Sequence, residues 1–330
     1  MHSLRRLFLF IFSTLILLAL SLKIEELRVY QGAQIAIYAL GISSIVLLTG
    51  YSGQVSLGNG AFMAIGAYTA ALTQIHWHLP LFFTFVVGTF SAALAGAILG
   101  GGAARLSGPY LAGATLALAV GLPTLANQFT ILNGETGLDY TSGTPPTWFG
   151  ESFTLYKWFF WIVLVNVMLM MFFVRNITSS RYGRTWKALR GNPVAAQLSG
   201  IQVGGSKVLA FTISAGVAGL AGTLLGMIGF VGPTGFGLGL SFALVTGAVL
   251  SGVTSLAGSM LGAVVLVAIP ELASVIAHRL GDTERVTSNL PGLIMSTLLI
   301  LTVLFTPNGP AEQIRKHKAR KHGSSKARKQ

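Results

Sequence analysis

Apolar runs long enough to cross a bilayer recur along the whole chain, separated by short polar or glycine-rich stretches. A hydrocarbon core of ~30 Å takes about 20 residues of α-helix. Such runs fall at roughly 7–20, 33–49, 58–75, 81–104, 110–129, 157–174, 208–230, 236–253, 257–278 and 290–306. They are about twice the length of the ~10-residue alternating strands of an outer-membrane barrel. The pattern predicts an all-α integral membrane protein, a polytopic helix bundle of about ten transmembrane helices. Leu7 to Leu20, behind Arg5 and Arg6, is short enough for a signal-peptide core, with Ala19-Leu20-Ser21 as a weak cleavage-like site. We read it as a retained first helix; either version puts Lys23 to Arg28 outside.

Charge sharpens the picture. Only 9% of the 330 residues are charged, against about 25% in a soluble domain, which is too few to solvate a globule. The 41 glycines suit membrane helices that approach closely. Net charge is +13, yet its placement points away from nucleic acid. Eight basic residues crowd the end, from Arg315 to Lys329, and six more (Arg175, Arg181, Arg184, Lys187, Arg190, Lys207) lie in or beside one central segment. Basic residues at the ends of apolar spans mark the cytoplasmic side, where anionic lipid headgroups attract them. Ten crossings with the N-terminus inside put Arg105, the central segment and the tail all inside. A re-entrant 58–75 would put Arg105 and the central segment outside, so the charges favour ten.

This division makes 1–310 a transmembrane domain with a cytoplasmic loop at about 175–207, and 311–330 a basic, disordered cytoplasmic tail. On the outer side lies "ILNGETGLDYTSGTPPTWFGES", carrying Glu135, Asp139 and Glu151. Its Pro-Pro pair and its Gly, Thr and Ser content predict a turn-rich loop, a candidate docking surface at Glu135 and Asp139.

Two glycine-rich stretches interrupt the spans. In "GYSGQVSLGNGAFMAIGAY", Gly53 and Gly58 alternate with Gln54, Ser56 and Asn59. A helix broken inside a membrane frees backbone groups that only protein or a water-filled cavity can satisfy, and transporters bind substrate at such breaks. The plainer reading is that the glycines allow tight packing. In "SGVTSLAGSMLGA", Ser255-Leu256 followed by Gly258 echoes Ser56-Leu57-Gly58, as an internally repeated transporter would show, although the echo is short. These residues form our candidate pathway: Gly53, Gln54, Ser56, Gly58, Asn59, Ser255 and Gly258. Glu271, beside Pro270, is an acid in an apolar span, which is a functional candidate by default. Its place near the outer interface favours a structural carboxylate.

The central basic segment contains two helix-competent stretches, Thr185–Leu189 and Val194–Leu198, broken at Gly191-Asn192-Pro193. Pro193 suits a first turn and Gly200 a C-terminal cap. A loop that only fixed topology would need a few residues, and this one runs for about thirty, which argues for a docking surface. Val194, Ala195, Ala196 and Leu198 would give it an apolar face flanked by Arg184, Lys187 and Arg190. The chain has no cysteine, and its six histidines form no metal-ligand spacing. It lacks a G-x-x-x-x-G-K-[ST] phosphate loop and any nucleophile motif, so no catalytic residue, metal or cofactor is assigned. With Glu271 the single mid-span acid we identify, an ion-coupled secondary transporter and an intramembrane enzyme are weaker alternatives.

"VAAQLSGI" resembles the EAA-x-x-x-G coupling motif of ATP-binding-cassette importer permeases, with Val194 in place of the acid and Ala195, Ala196 and Gly200 retained. The longer "RYGRTWKALRGNPVAAQLSGIQVGGSKVLAFTISAGVAGLAGTLLG" is similar to branched-chain amino-acid permeases of the LivM type. So are "GYSGQVSLGNGAFMAIGAYTAAL", "LNGETGLDY", "FVGPTGFGLGLSFALVTGAVLSG" and "VTSNLPGLIMSTLLILTVLFTPNGP", in the same order from Tyr38 to Pro310. The resemblance implies a ten-helix permease of two related halves in a bacterial inner membrane, with both termini cytoplasmic. It also implies a second homologous permease, two cytoplasmic ATPase subunits and a periplasmic or extracellular binding protein. The implied substrates are branched-chain or other hydrophobic amino acids, with urea or short amides as the alternative.

Overall fold

The computed structural model describes residues 2–103, 108–150, 153–279, 290, 292–294, 296–297, 300–301 and 304. Nine apolar runs form helices: α1 (His2–Ser21), α2 (Glu26–Ile45), α3 (Asn59–Trp77), α4 (Leu81–Ala103), α5 (Pro109–Gln128), α6 (Leu155–Ser179), then, after two short helices in the central segment, α9 (Val203–Ile228), α10 (Leu238–Ser251) and α11 (Ser259–Arg279). The short pair is α7 (Arg181–Gly191) and α8 (Pro193–Leu198). The described residues of the tenth run, between 290 and 304, are also helical. Arg105 and the basic tail lie outside the described residues.

The chain is thus a polytopic helical membrane protein. Among the described residues, five segments are long and apolar enough to cross a bilayer unaided: Glu26–Tyr51, Leu81–Gly102, Pro109–Gln128, Leu155–Ser179 and Val203–Ile228. Others depend on protein around them. Residues Leu238–Ser251 and Ser259–Ala273 are apolar but short, and α3 carries buried Asn59, Tyr68 and Thr73.

The core is built on α9, whose glycine-rich stripe receives α3 and α4. A Cβ on Gly222 would overlap the Met63 carbonyl, and one on Gly66 would overlap the backbone of Gly219. Backbone contact this close is the packing that small residues permit where lipid gives helices no hydrophobic reason to associate. On the other side of α2, α10 and α11 approach through Gly247 and Gly262. Helix α6 also packs on α2, and α1 lies on α6 through Phe10–Phe172 and a Trp161 Nε1 to Ser21 Oγ bond of 3.0 Å. Large side chains such as Phe90 and Ile98 point outward at 69% exposure each, a cost in water and none in hydrocarbon.

Contacts at the helix ends define two faces. On one, Tyr30 donates to the Ile228 carbonyl, Gln74 bonds the Thr141 backbone in both directions, and Thr84 meets Tyr140 at 2.7 Å. Gln31 donates to Glu271 at 2.6 Å there, tying the start of α2 to α11. Glu271 therefore serves a helix-joining role. On the opposite face lie α7, α8 and the turns 52–58 and 252–258.

Candidate functional site

Both glycine-rich stretches break their spans at the α7–α8 face. Helix α2 does not end cleanly: Val46–Tyr51 continues it as a π-helix, a widened turn that displaces backbone carbonyls from the regular ladder. The chain then turns through 52–58 and re-enters the membrane as α3. Residues 252–258 make the corresponding turn between α10 and α11. The end of the π-helix meets the second turn, for a Cβ on Gly50 would overlap the Val253 carbonyl. The second glycine-rich stretch is thus held against the widened end of α2.

Each break is closed by its own polar groups. Gly53 has φ +74°, and Arg190 carbons lie 3.1–3.3 Å from where its Cβ would be. Only glycine suits that left-handed, crowded position. Gln54 is buried and donates to Ser52 Oγ at 2.9 Å and to the Lys207 carbonyl at 3.2 Å. Ser56 is buried and accepts from the Gly58 N–H, while Ser255 accepts from the Gly258 N–H at 3.0 Å. Gly58 lies against Thr115 of α5, whose hydroxyl accepts from the Leu57 N–H at 3.0 Å.

Asn59 opens α3 at 1% exposure. Its Nδ2 donates to Ser44 Oγ at 2.7 Å and reaches Ser214 Oγ at 3.5 Å, while Ser214 donates to the Ser44 carbonyl. Its Oδ1 is buried with no hydrogen-bond partner among the described residues, a position that costs about 1–3 kcal/mol. The next residue, Gly60, donates from its N–H to Ser241 Oγ. Helices α2, α3, α9 and α10 therefore meet at one polar knot. Ser44, Ser214 and Ser241 were not among the sequence candidates; serines within apolar runs were the signal for them.

The central segment folds as the helix–turn–helix expected. Ser180 caps α7 by accepting from the Tyr182 N–H at 3.2 Å. Gly183, Trp186 and Leu189 form its buried side, and Trp186 Nε1 donates to the Ser206 carbonyl at 3.0 Å. Asn192 Oδ1 caps α8 by accepting from Val194 and Ala195, a role the sequence reading gave only to a break. Gly200 ends α8 at φ +81°, with the Ile201 N–H bonded to the Ala196 carbonyl at 3.1 Å.

Of the basic residues, Arg184 is exposed, whereas Lys187 and Arg190 reach the membrane part. Lys187 Nζ lies 5.1 Å from the Tyr51 ring centre, and the Arg190 guanidinium donates to the Gly50 carbonyl. The apolar face differs from expectation at one position. Val194 and Leu198 are 67% and 86% exposed, but Ala196 is 5% exposed and packs into the core. A six-residue helix presents one side to its own protein, and Ala196, two positions from each of those residues, lies on it.

On the far face, Glu135 sits in a 3-10 turn (Gly134–Thr136) and is exposed, as is Asp139. Neighbouring residues pin the loop: the Leu138 N–H donates to the Val231 carbonyl at 2.9 Å. Burial pushes the Tyr140 phenol above its ordinary pKa, partly offset by its bond to Thr84. The described residues contain no group of three His, Asp or Glu side chains placed to hold a metal.

Residues 28–304 match the family of branched-chain amino acid transport system permease components. The chain is 31% identical over 315 residues to the high-affinity branched-chain amino acid transport system permease protein LivM of Escherichia coli, a match that covers 88% of this chain and 70% of that protein. LivM of Salmonella typhimurium matches over the same extent. The ribose import permease protein RbsC of Haemophilus influenzae is 31% identical over 68% of this chain and 66% of its own length. No solved structure matches.

Proposed function

Because the chain belongs to the permease-component family of branched-chain amino acid transport systems, we propose that it forms half of the pathway of an ATP-driven importer for branched-chain or other hydrophobic amino acids. A second, homologous permease supplies the other half, two cytoplasmic ATPases supply the energy, and an external binding protein delivers substrate to the loop carrying Glu135 and Asp139. In this reading the α7–α8 face is cytoplasmic and both termini lie on that side. Residues 1–310 are the permease domain.

The observation that carries the proposal is the seat of α7 on the broken end of α2, made by Arg190 on Gly50 and by Lys187 on Tyr51. Movement of α7 would be felt directly by the turn that ends at Asn59. That turn adjoins α5 through Thr115, and α5 offers a face on which a second permease would pack. Tyr110, Val120 and Leu125 are exposed, and among the described residues nothing lies near the Cβ positions of Gly113 or Gly121. The pathway would pass beside Gly53, Gln54, Ser56, Gly58 and Asn59, with Ser255 and Gly258 on the second break.

The ATPase would grip α8 by Val194 and Leu198, in the helix-in-groove manner, with Arg184 beside it. Leu198→Glu places a charge on that exposed face and should abolish co-purification of the ATPase while leaving the permease inserted and folded. Ala196→Glu, at a buried position, should instead lower the stability of the permease itself. Full ATPase recovery with Leu198→Glu would refute the docking assignment.

A further inference from the structure

A cleft of about 490 Å³ runs between α1, α2, α6, α7 and α11 at the α7–α8 face, bordered by the second turn at Leu256 and Ala257. Its polarity is graded along the membrane normal. Arg175, Ser179, Lys187 and Tyr51 line one end, while Leu17, Ala36, Leu164 and Met168 line the other. Leu164 and Arg175 lie on the same helix, eleven residues apart, which is ~16 Å at 1.5 Å per residue. That is about half of a ~30 Å hydrocarbon core, the depth of one leaflet.

We propose that this cleft is a binding site for one anionic phospholipid of the inner leaflet, with its phosphate between Arg175 and Lys187 and an acyl chain along α6. Among the described residues, those at the rim bring two cations and no carboxylate, so a negatively charged headgroup is favoured over a zwitterionic one. The body offers apolar side chains from three helices, α1, α2 and α6. The chain's own C-terminal tail is a poor alternative occupant, because residues 315–329 carry eight basic side chains and would be repelled by the same rim. The site also touches the coupling apparatus. Lys187 belongs to α7, Tyr51 ends the π-helix, Leu256 lies in the second break and Ser259 follows it. A lipid seated there would brace α6, α7 and both breaks at once, so lipid composition would tune how α7 transmits movement.

The sidedness of the site rests on the cytoplasmic placement of α7 and α8 proposed above, but binding is measured on the isolated full chain and involves neither ATPase nor uptake. Failure here would leave the transport reading intact. The experiment is native mass spectrometry of the purified chain, offered phosphatidylglycerol and phosphatidylethanolamine with identical acyl chains. Each cation beside a headgroup contributes roughly fivefold, so two give about a thirtyfold preference for phosphatidylglycerol. Arg175→Gln combined with Lys187→Gln should reduce that preference to near unity, whereas Arg175→Lys should retain most of it. Met168→Trp, which fills the apolar body, should lower retention of both lipids. Unaltered helical circular dichroism and elution confirm that each variant is folded. Equal binding of the two lipids by the wild-type chain, or an undiminished preference in the double variant, would overturn the proposal. Displacement of the lipid by millimolar inorganic phosphate would make this a free-anion site and overturn it as well.

Discussion

Arg190→Met tests the link between the coupling helices and the broken span. The substitution keeps an apolar stem against Gly53, where Arg190 carbons lie 3.1–3.3 Å from the glycine's Cβ position, and removes every donor. The Gly50 carbonyl, in the last turn of the π-helix, then loses the guanidinium that satisfies it. A hydrogen bond to a charged group contributes about 1.5–3 kcal/mol. If the bond is made in one transport state and broken in the other, its loss shifts their balance by up to the same amount, about 10- to 150-fold. Helix α7 itself should remain docked, because Trp186 and Leu189 are 1% and 2% exposed and Trp186 keeps its bond to Ser206. The assay is uptake per ATP hydrolysed in proteoliposomes containing the complete transporter. The ratio should fall, by as much as about 10- to 150-fold, while ATPase recovery is unchanged, and Arg190→Lys should restore part of it. A wild-type ratio in Arg190→Met would refute the link.

Gly222→Val would force a side chain into the Met63 backbone; overpacking of this kind costs about 1–3 kcal/mol and should lower the melting temperature in detergent, with an unchanged melt disproving the close α3–α9 contact. Cysteines introduced singly at Asp139 and at Lys187, both exposed, should react with a membrane-impermeant reagent only from outside and only from inside, respectively. Labelling of both from one side would invalidate the crossing scheme.

How much of this was legible in the sequence depends on the physical range of each signal. Helix number and approximate span limits were, because a bilayer imposes one length on every crossing and the chain must repeat it. The helix–turn–helix of 181–198 was also legible, since Pro193 and Gly200 act on their own backbone within a few residues. Local rules carried those assignments without help from the rest of the molecule.

The facing of side chains was not legible. Ala196 reads like Val194 and Leu198 in a six-residue stretch, and only the packing of α8 on α7 and α9 decides that it turns inward. The π-helix at Val46–Tyr51 had no readable signature, and the side chains that meet it, Arg190 and Lys187, are distant in sequence. The same holds for the knot joining Ser44, Asn59, Ser214 and Ser241, assembled from four helices. Sequence alone determined which segments enter the membrane, because that is a transfer free energy summed over neighbouring residues. Which polar groups meet within it was decided only by the tertiary structure, since a buried donor must find an acceptor that the chain delivers from far away.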